Sequence, residues 1–385
     1  MLTAATALCG ATALCGLTAL CGCRSRSELL GTVASPGDDA APSDAGGSLP
    51  TYMIGADISN VQQQEDSGTV FTDTDGTQKD ILQILKNHGF NFARLRTFVD
   101  PGASDGYATL MNVAQPYCDL ANTVTMAQRI KAAGLGWELD LHYSDNWADA
   151  SMQVIPLAWQ GDSLSEMVTA LSNYTRDAIG QLVSAGVRPD IVQIGNEITP
   201  GLLLTPGSVT GSASNWDNLA LFLNAGIDAV HAVDPTIKIM MHLDRGGDNA
   251  GTTAWVNAAI AHGVHFDILG EACYTNVQGD PSTWLSNFNS LVTQYPELAL
   301  MIVEYSESAD DLSGNLDIWR QANDIVFNLA GKRGIGAYVW EPTGWQETLF
   351  DVQGRTAATD LPNPFLVGSP RIALYDQMAS DYGLR

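Results

Sequence analysis

Basic residues are scarce in this chain. Lys and Arg total 18 against 43 Asp and Glu, a formal net charge of -25 over 385 residues. A surface of that sign repels phosphate backbones and anionic bilayers, so nucleic acid is not an expected partner and a neutral ligand fits better. Cysteine is also sparse. Of six in total, Cys9, Cys15, Cys21 and Cys23 crowd the first 23 residues, leaving Cys118 and Cys273 beyond them. One disulfide is open to that pair, and spacing does not decide it. There is no Cys-x-x-Cys pair, no His-Glu-x-x-His helix and no EF-hand loop. Neither a metal nor a cofactor is therefore expected. The acidic run "SESADDLSGN" (306–315) reads as a solvated loop rather than a calcium site. A Gly-x-Ser-x-Gly elbow and a Gly-rich phosphate loop are missing as well, which removes the usual signatures of serine hydrolases and nucleotide enzymes. After the leader, no apolar run is long enough to span a bilayer.

The composition that remains, 45% apolar, is ample for a packed core. Residues 1–23 carry a six-residue repeat, "ATALCG" (5–10), "ATALCG" (11–16) and "LTALCG" (17–22), closing on Cys23. The run resembles the core of a secretory signal, and Leu20-Cys21-Gly22-Cys23 resembles a bacterial lipoprotein box with Cys23 as the lipid anchor. Arg24 and Arg26 follow it. Export, either free or to the bacterial cell surface, is the expected localisation. Residues 24–50, rich in Ser, Gly, Pro, Ala and Asp, read as a flexible linker. Residues 51–385 form one expected catalytic domain.

Within that domain a short apolar run ending in polar or aromatic residues recurs eight times, each followed by a helix-period segment. The runs are "YMIGADIS" (52–59), "FARLRTF" (92–98), "GWELDLHYS" (136–144), "DIVQIGNEI" (190–198), "IKIMMHLD" (237–244), "DILGEACY" (267–274), "ALMIVEYS" (299–306) and "GIGAYVWEP" (334–342). Between them, 79–89 and 123–134 close on glycines, and 215–235 opens on a capping Asn and stops before Pro235. Strand then helix, eight times at roughly 40 residues per unit, predicts an α/β fold of (β/α)8 TIM-barrel type.

Such barrels work at the C-terminal ends of their strands. Those ends hold Asp57, Arg94, Arg96, His142, Asp145, Asn196, Glu197, His242, Glu271, Tyr274, Glu304, Trp340 and Glu341, with Trp147 and Trp345 in loops. Carboxylates on different strands, ringed by aromatics, suit glycoside hydrolysis. One carboxyl protonates the leaving oxygen, and the other attacks the anomeric carbon or activates water. Strict alternation in the seventh strand puts Ile302 and Glu304 on one face, Val303 and Tyr305 on the other. His242 reads as structural, and Trp137, Trp255 and Trp319 read as core.

"IGADIS" (54–59), "GFNFARLRTFVDP" (89–101), "LDLHYSDNWADA" (139–150), "PLAW" (156–159), "VQIGNEITPG" (192–201), "VEYSE" (303–307) and "YVWEPTGW" (338–345) fall in order across most of 51–345. Together they resemble glycoside hydrolase family 53, the arabinogalactan endo-β-1,4-galactanases, in the clan of retaining barrel glycosidases. The resemblance implies Glu197 as acid/base, Glu304 as nucleophile and Arg94 as the group that keeps the nucleophile ionised. His142, Asn196, Tyr274 and Trp340 would line the subsite of cleavage, with Asp57, Asp145, Trp147 and Trp345 as further substrate contacts. The expected partner is a polysaccharide, β-1,4-galactan of plant pectin side chains. The alternatives are a mannan- or xylan-cleaving enzyme of the same clan and a non-catalytic glycan-binding surface protein. The chain departs from the family pattern at Ala150, where proline is usual, and at "EACYT" (271–275), where only Tyr274 matches and Glu271 is unexpected.

Overall fold

The computed structural model describes residues 49–306, 312–343, 349–350 and 371–385. Eight strands close into one barrel in sequence order. They are β1 (Met53–Asp57), β2 (Phe92–Thr97), β3 (Gly136–Leu141), β4 (Ile191–Ile194), β5 (Lys238–Leu243), β6 (Ile268–Tyr274), β7 (Ala299–Ser306) and β8 (Gly334–Val339). Each pairs in parallel with both neighbours, β8 returning to β1. A principal helix follows each strand: α1 (Ile81–Asn87), α2 (Leu120–Ala133), α3 (Leu164–Ser184), α4 (Trp216–Val233), α5 (Asn249–Ala261), α6 (Pro281–Gln294), α7 (Leu312–Phe327) and α8 (Ala373–Asp381). This is the (β/α)8 barrel expected from the repeated pattern.

Local chemistry starts and stops these helices. Asp80, Asp119 and Asn215 accept from the exposed backbone amides of α1, α2 and α4, and Ser163 with Glu166 forms a capping box on α3. α2 ends on Gly134 at φ 73°, the left-handed conformation that glycine adopts without steric cost.

The core has two shells. Residues facing outward from the strands, Trp137 among them, pack beneath the helices, which contribute Trp319 of α7 to the same cluster. Inside the barrel, Met53, Phe92, Ile191, Met240, Ile268, Met301 and Tyr338 fill the interior. Two residues further along β2, β3 and β4 the inward positions become charged or polar: Arg94, Asp140 and Gln193. The interior is thus apolar at the base and ionic toward the C-terminal mouth.

β7 departs from strict alternation. Its register against β6 passes from Ile302 opposite Glu271 to Glu304 opposite Ala272, and its register against β8 slips over the same residues. The extra residue is a bulge. Ile302 packs in the outer shell and Val303 inside the barrel, so the expected pairing of Ile302 with Glu304 on one face is corrected. The bulge lets Glu304 enter the cleft although two-residue periodicity from Ile302 points outward.

Cys118 and Cys273 are both buried free thiols, not a disulfide. Trp345, Cys23 and the rest of residues 1–48 lie outside the described residues.

Candidate active site

Parallel register assembles the centre of the site. It sets Asp57, Arg94 and Glu138 side by side on β1, β2 and β3. Arg96, Asp140 and Gln193 stand level two residues further on. Arg94 is fully sequestered and its guanidinium is shared out. Nη1 donates to Glu304 Oε1 at 2.6 Å and Asp57 Oδ2 at 3.0 Å. Nη2 donates to Asp140 Oδ2 at 2.9 Å, Asn196 Oδ1 at 2.9 Å and Gln193 Oε1 at 3.1 Å. Nε lies 3.4 Å from Glu138. A buried guanidinium is tolerable only with such partners, and removing one side of such a pair typically costs about 3–5 kcal/mol.

The other predicted residues surround this centre. Tyr274 donates its hydroxyl to Glu304 Oε2 at 2.9 Å. His142 donates from Nε2 to Asp140 at 2.9 Å and accepts the Ala148 amide on Nδ1 at 3.0 Å, which sets its tautomer. Asn196 donates to Ala148 O at 2.8 Å, which orients its amide and leaves Oδ1 to accept from Arg94 and from His242 Nδ1. The Trp147 ring lies with its centroid 6.3 Å from that of Trp340 and under the Arg96 guanidinium at 4.1 Å. Arg96 in turn donates to Glu341, which is buried. These side chains border one cleft of about 480 Å³ that includes Asp57, Arg94, His142, Asn196, Glu197 and Glu304.

Asp145 is the exception. Its carboxylate accepts the backbone amides of Asp100 and Leu157 at 2.9 and 2.7 Å, bracing two loops, and it does not border the cleft. The structure does not bring it together with the other predicted site residues in the cleft. A carboxylate four residues past a strand end meets loop amides as readily as it meets ligand.

Asp140, Gln193, Asp149, Met111 and Met152 escaped the reading of strand ends. Asp140 was findable, since Glu138, Asp140 and His142 share one strand face by period two. His242, read as structural, is completely buried and touches the Asn196 amide. Glu271 faces the other way. It accepts from Arg245 N at 3.0 Å and Thr252 Oγ1 at 2.7 Å, tying the loop after β5 to α5.

Glu197 and Glu304 meet across the cleft. One carboxylate oxygen of each, with a His242 ring nitrogen, lie within 4.8 Å of one another. Such a trio offers metal ligands, but both Glu304 oxygens already accept hydrogen bonds from Arg94 and Tyr274, and His242 Nδ1 is committed to Asn196. Among the described residues His242 Nε2 has no hydrogen-bond partner, but with both Glu304 oxygens engaged the trio leaves few free ligand atoms for a cation. Burial pushes the Glu197 carboxyl well above its usual range, and the negative charges of Glu304 and Asp244 add to the effect. Burial also raises Glu304, but Arg94 and the Tyr274 hydroxyl pull against that rise. No ion pair of Glu197 occurs among the described residues. Of the two, Glu197 is therefore the carboxyl that holds a shared proton.

Residues 53–364 match the profile described as glycosyl hydrolase family 53. An uncharacterized protein of Niallia circulans is 35% identical over 318 residues, 76% of this chain and 83% of its own length. An arabinogalactan endo-beta-1,4-galactanase of Thermothelomyces thermophilus is 32% identical over 317 residues, 76% of this chain and 89% of its own. The solved GH53 catalytic domain of Ignisphaera aggregans superposes with a TM-score of 0.74 at 27% identity, covering 85% of this chain and 96% of that one.

Proposed function

The chain belongs to glycosyl hydrolase family 53, and from that premise we propose that it is an endo-β-1,4-galactanase acting on arabinogalactan by double displacement with retention. The name carried by the Thermothelomyces relative supports the substrate. The observation that carries the chemistry is the pair of carboxylates with oxygens within 4.8 Å, of which, among the described residues, Glu304 alone is held by a guanidinium. That approach supports the retaining arrangement, about 5–5.5 Å between carboxyl groups, over the inverting one of about 6.5–9.5 Å.

Glu197 begins protonated and Glu304 ionised. Glu304 attacks the anomeric carbon while Glu197 gives its proton to the departing glycosidic oxygen. The bond breaks, the leaving chain departs with a new hydroxyl, and a glycosyl ester forms on Glu304. Water then enters, Glu197 takes its proton, and the oxygen attacks the same carbon, freeing Glu304. Arg94 and Tyr274 stabilise the carboxylate before attack and after release. Trp340 and Trp147 offer apolar faces to the sugar rings. Export, with Cys23 as a candidate lipid anchor, suits an enzyme whose substrate is an extracellular polymer.

Digestion of β-1,4-galactan beside mannan and xylan, with products sized and the anomer followed by NMR, tests the assignment. Galactan oligomers released first as the β-anomer are expected. Preference for mannan or xylan would overturn the substrate, and first release of the α-anomer would overturn the mechanism. Glu304→Ala is expected to abolish turnover, and unchanged turnover would remove Glu304 from the nucleophile's role. Labelling with palmitate that survives Cys23→Ser would refute the anchor.

A further inference from the structure

β4 ends at Ile194, and the residues that matter come after the ladder stops. Gly195 turns at φ 82° and Glu197 at φ 47°, a left-handed backbone that a glutamate adopts only when its surroundings hold it there. Past the last strand residue, the carbonyls of Asn196 and Glu197 need a donor that the sheet does not supply.

The loop after β3 supplies it. Gln153 is nearly buried, and its side-chain Nε2 donates to Asn196 O at 2.7 Å, to Asp149 O at 3.1 Å and toward Glu197 O at 3.5 Å. Its own carbonyl accepts from Leu204 N at 2.9 Å, so the residue is pinned to the loop after β4 as well. From the other side Asn196 donates back to Ala148 O, and the Ala148 amide is seated on His142. Within the same loop, the Ala150 amide donates to Glu197 Oε2 at 3.3 Å. Position 150 is one where the family resemblance expects proline, which has no N–H to give.

We propose that Gln153 is a positioning residue for the acid/base: its amide clamps the loop after β3 onto the backbone of Asn196 and Glu197, and Ala150 completes the clamp through its N–H on the Glu197 carboxylate. This rests on Glu197 as acid/base and adds how that group is held. Among the described residues no cation pairs with Glu197, and the direction of its carboxyl is set by the turn that Gln153 braces and by one amide. A proton donor must lie within hydrogen-bond reach of the leaving oxygen, and a misplacement of about 1 Å can cost on the order of 10²-fold. The Ala150 amide favours the ionised carboxylate, so it also trims the upward pull of burial on Glu197.

The test compares kcat/KM on galactan with kcat/KM on a dinitrophenyl β-1,4-galactobioside, whose leaving group departs without a proton. Gln153→Leu is expected to lower the galactan value about 10²-fold and to leave the activated substrate nearly as fast. An equal fall on both would mean general disruption and would overturn the proposal. Ala150→Pro keeps Gln153 and removes the N–H, and carries the test if Gln153→Leu does not fold. Its alkaline limb on galactan is expected to move to higher pH, and an unmoved limb refutes the amide's part. Glu197→Ala is the control. Loss on galactan alone supports the acid/base reading. Equal loss on both substrates would sink that reading itself, independently of the clamp.

Discussion

Glu197 and Glu304 are the same chemical group in two environments, and the difference decides which one carries the proton. Glu304 is ringed by donors; Glu197 faces two carboxylates. The activity kcat/KM needs Glu304 ionised and Glu197 protonated, so its pH profile is bell-shaped. The Tyr274 hydroxyl favours ionised Glu304, so Tyr274→Phe raises that carboxyl and moves the acid limb to higher pH. The negative charge of Asp244 raises Glu197, so Asp244→Asn lowers it and moves the alkaline limb to lower pH. Initial rates across the pH range check both. A Tyr274→Phe profile with an unmoved acid limb would show that the 2.9 Å contact does not tune the nucleophile. At this scale the family motifs made Glu197, Glu304, Arg94, His142 and Tyr274 legible in the chain. Asp145 looked equivalent because a sequence does not show which amides a loop carboxylate meets. Gln153 looked like an ordinary loop glutamine because its role lies in backbone carbonyls at the end of the neighbouring strand, β4.

At the scale of the strand, small residues and one irregularity shape the cleft. Gly55 on β1 faces Tyr338 on β8, and a Cβ at Gly55 would fall 2.1 Å from the Tyr338 ring. The barrel base is closed by that tyrosine, which stacks on Phe92 at 5.8 Å. Gly55→Ala is expected to destabilise the fold by about 1–3 kcal/mol through overpacking, measured as a fall in the urea midpoint. A variant as stable as the parent would mean that the ring has another place to go. The strands and helices were readable from periodicity and caps, since α2 and α4 end and begin on the residues that signal those ends. The β7 bulge was not. One extra residue leaves no mark in composition, and only pairing with β6 and β8 reveals that Val303 and Glu304 both turn inward.

For the molecule as a whole, buried carboxyls couple stability to pH. Burial pushes Glu138 and Glu271 up to about 8 and Glu341 up to about 7, from an ordinary 4.5. Between those values the folded chain keeps protons that the unfolded chain has released, so the contribution of these carboxyls to stability is fullest below about pH 4.5 and is lost as pH rises through about 8. Glu271 lies away from the cleft, so Glu271→Gln is expected to flatten this decline while leaving galactan cleavage intact. Urea midpoints between about pH 5 and pH 8 check it, and a slope as steep as the parent's would clear Glu271 of the effect. The chain alone determined the barrel, because eight apolar runs alternating with amphipathic helices have few other ways to bury both faces of a parallel sheet. It also determined the acidic surface and the two carboxylates at the tips of the fourth and seventh staves. Only the tertiary structure decided how the carboxylates differ. Their protonation depends on distances to Arg94, Tyr274, Asp244 and the Ala150 amide, which lie far apart along the chain and meet only when the barrel closes.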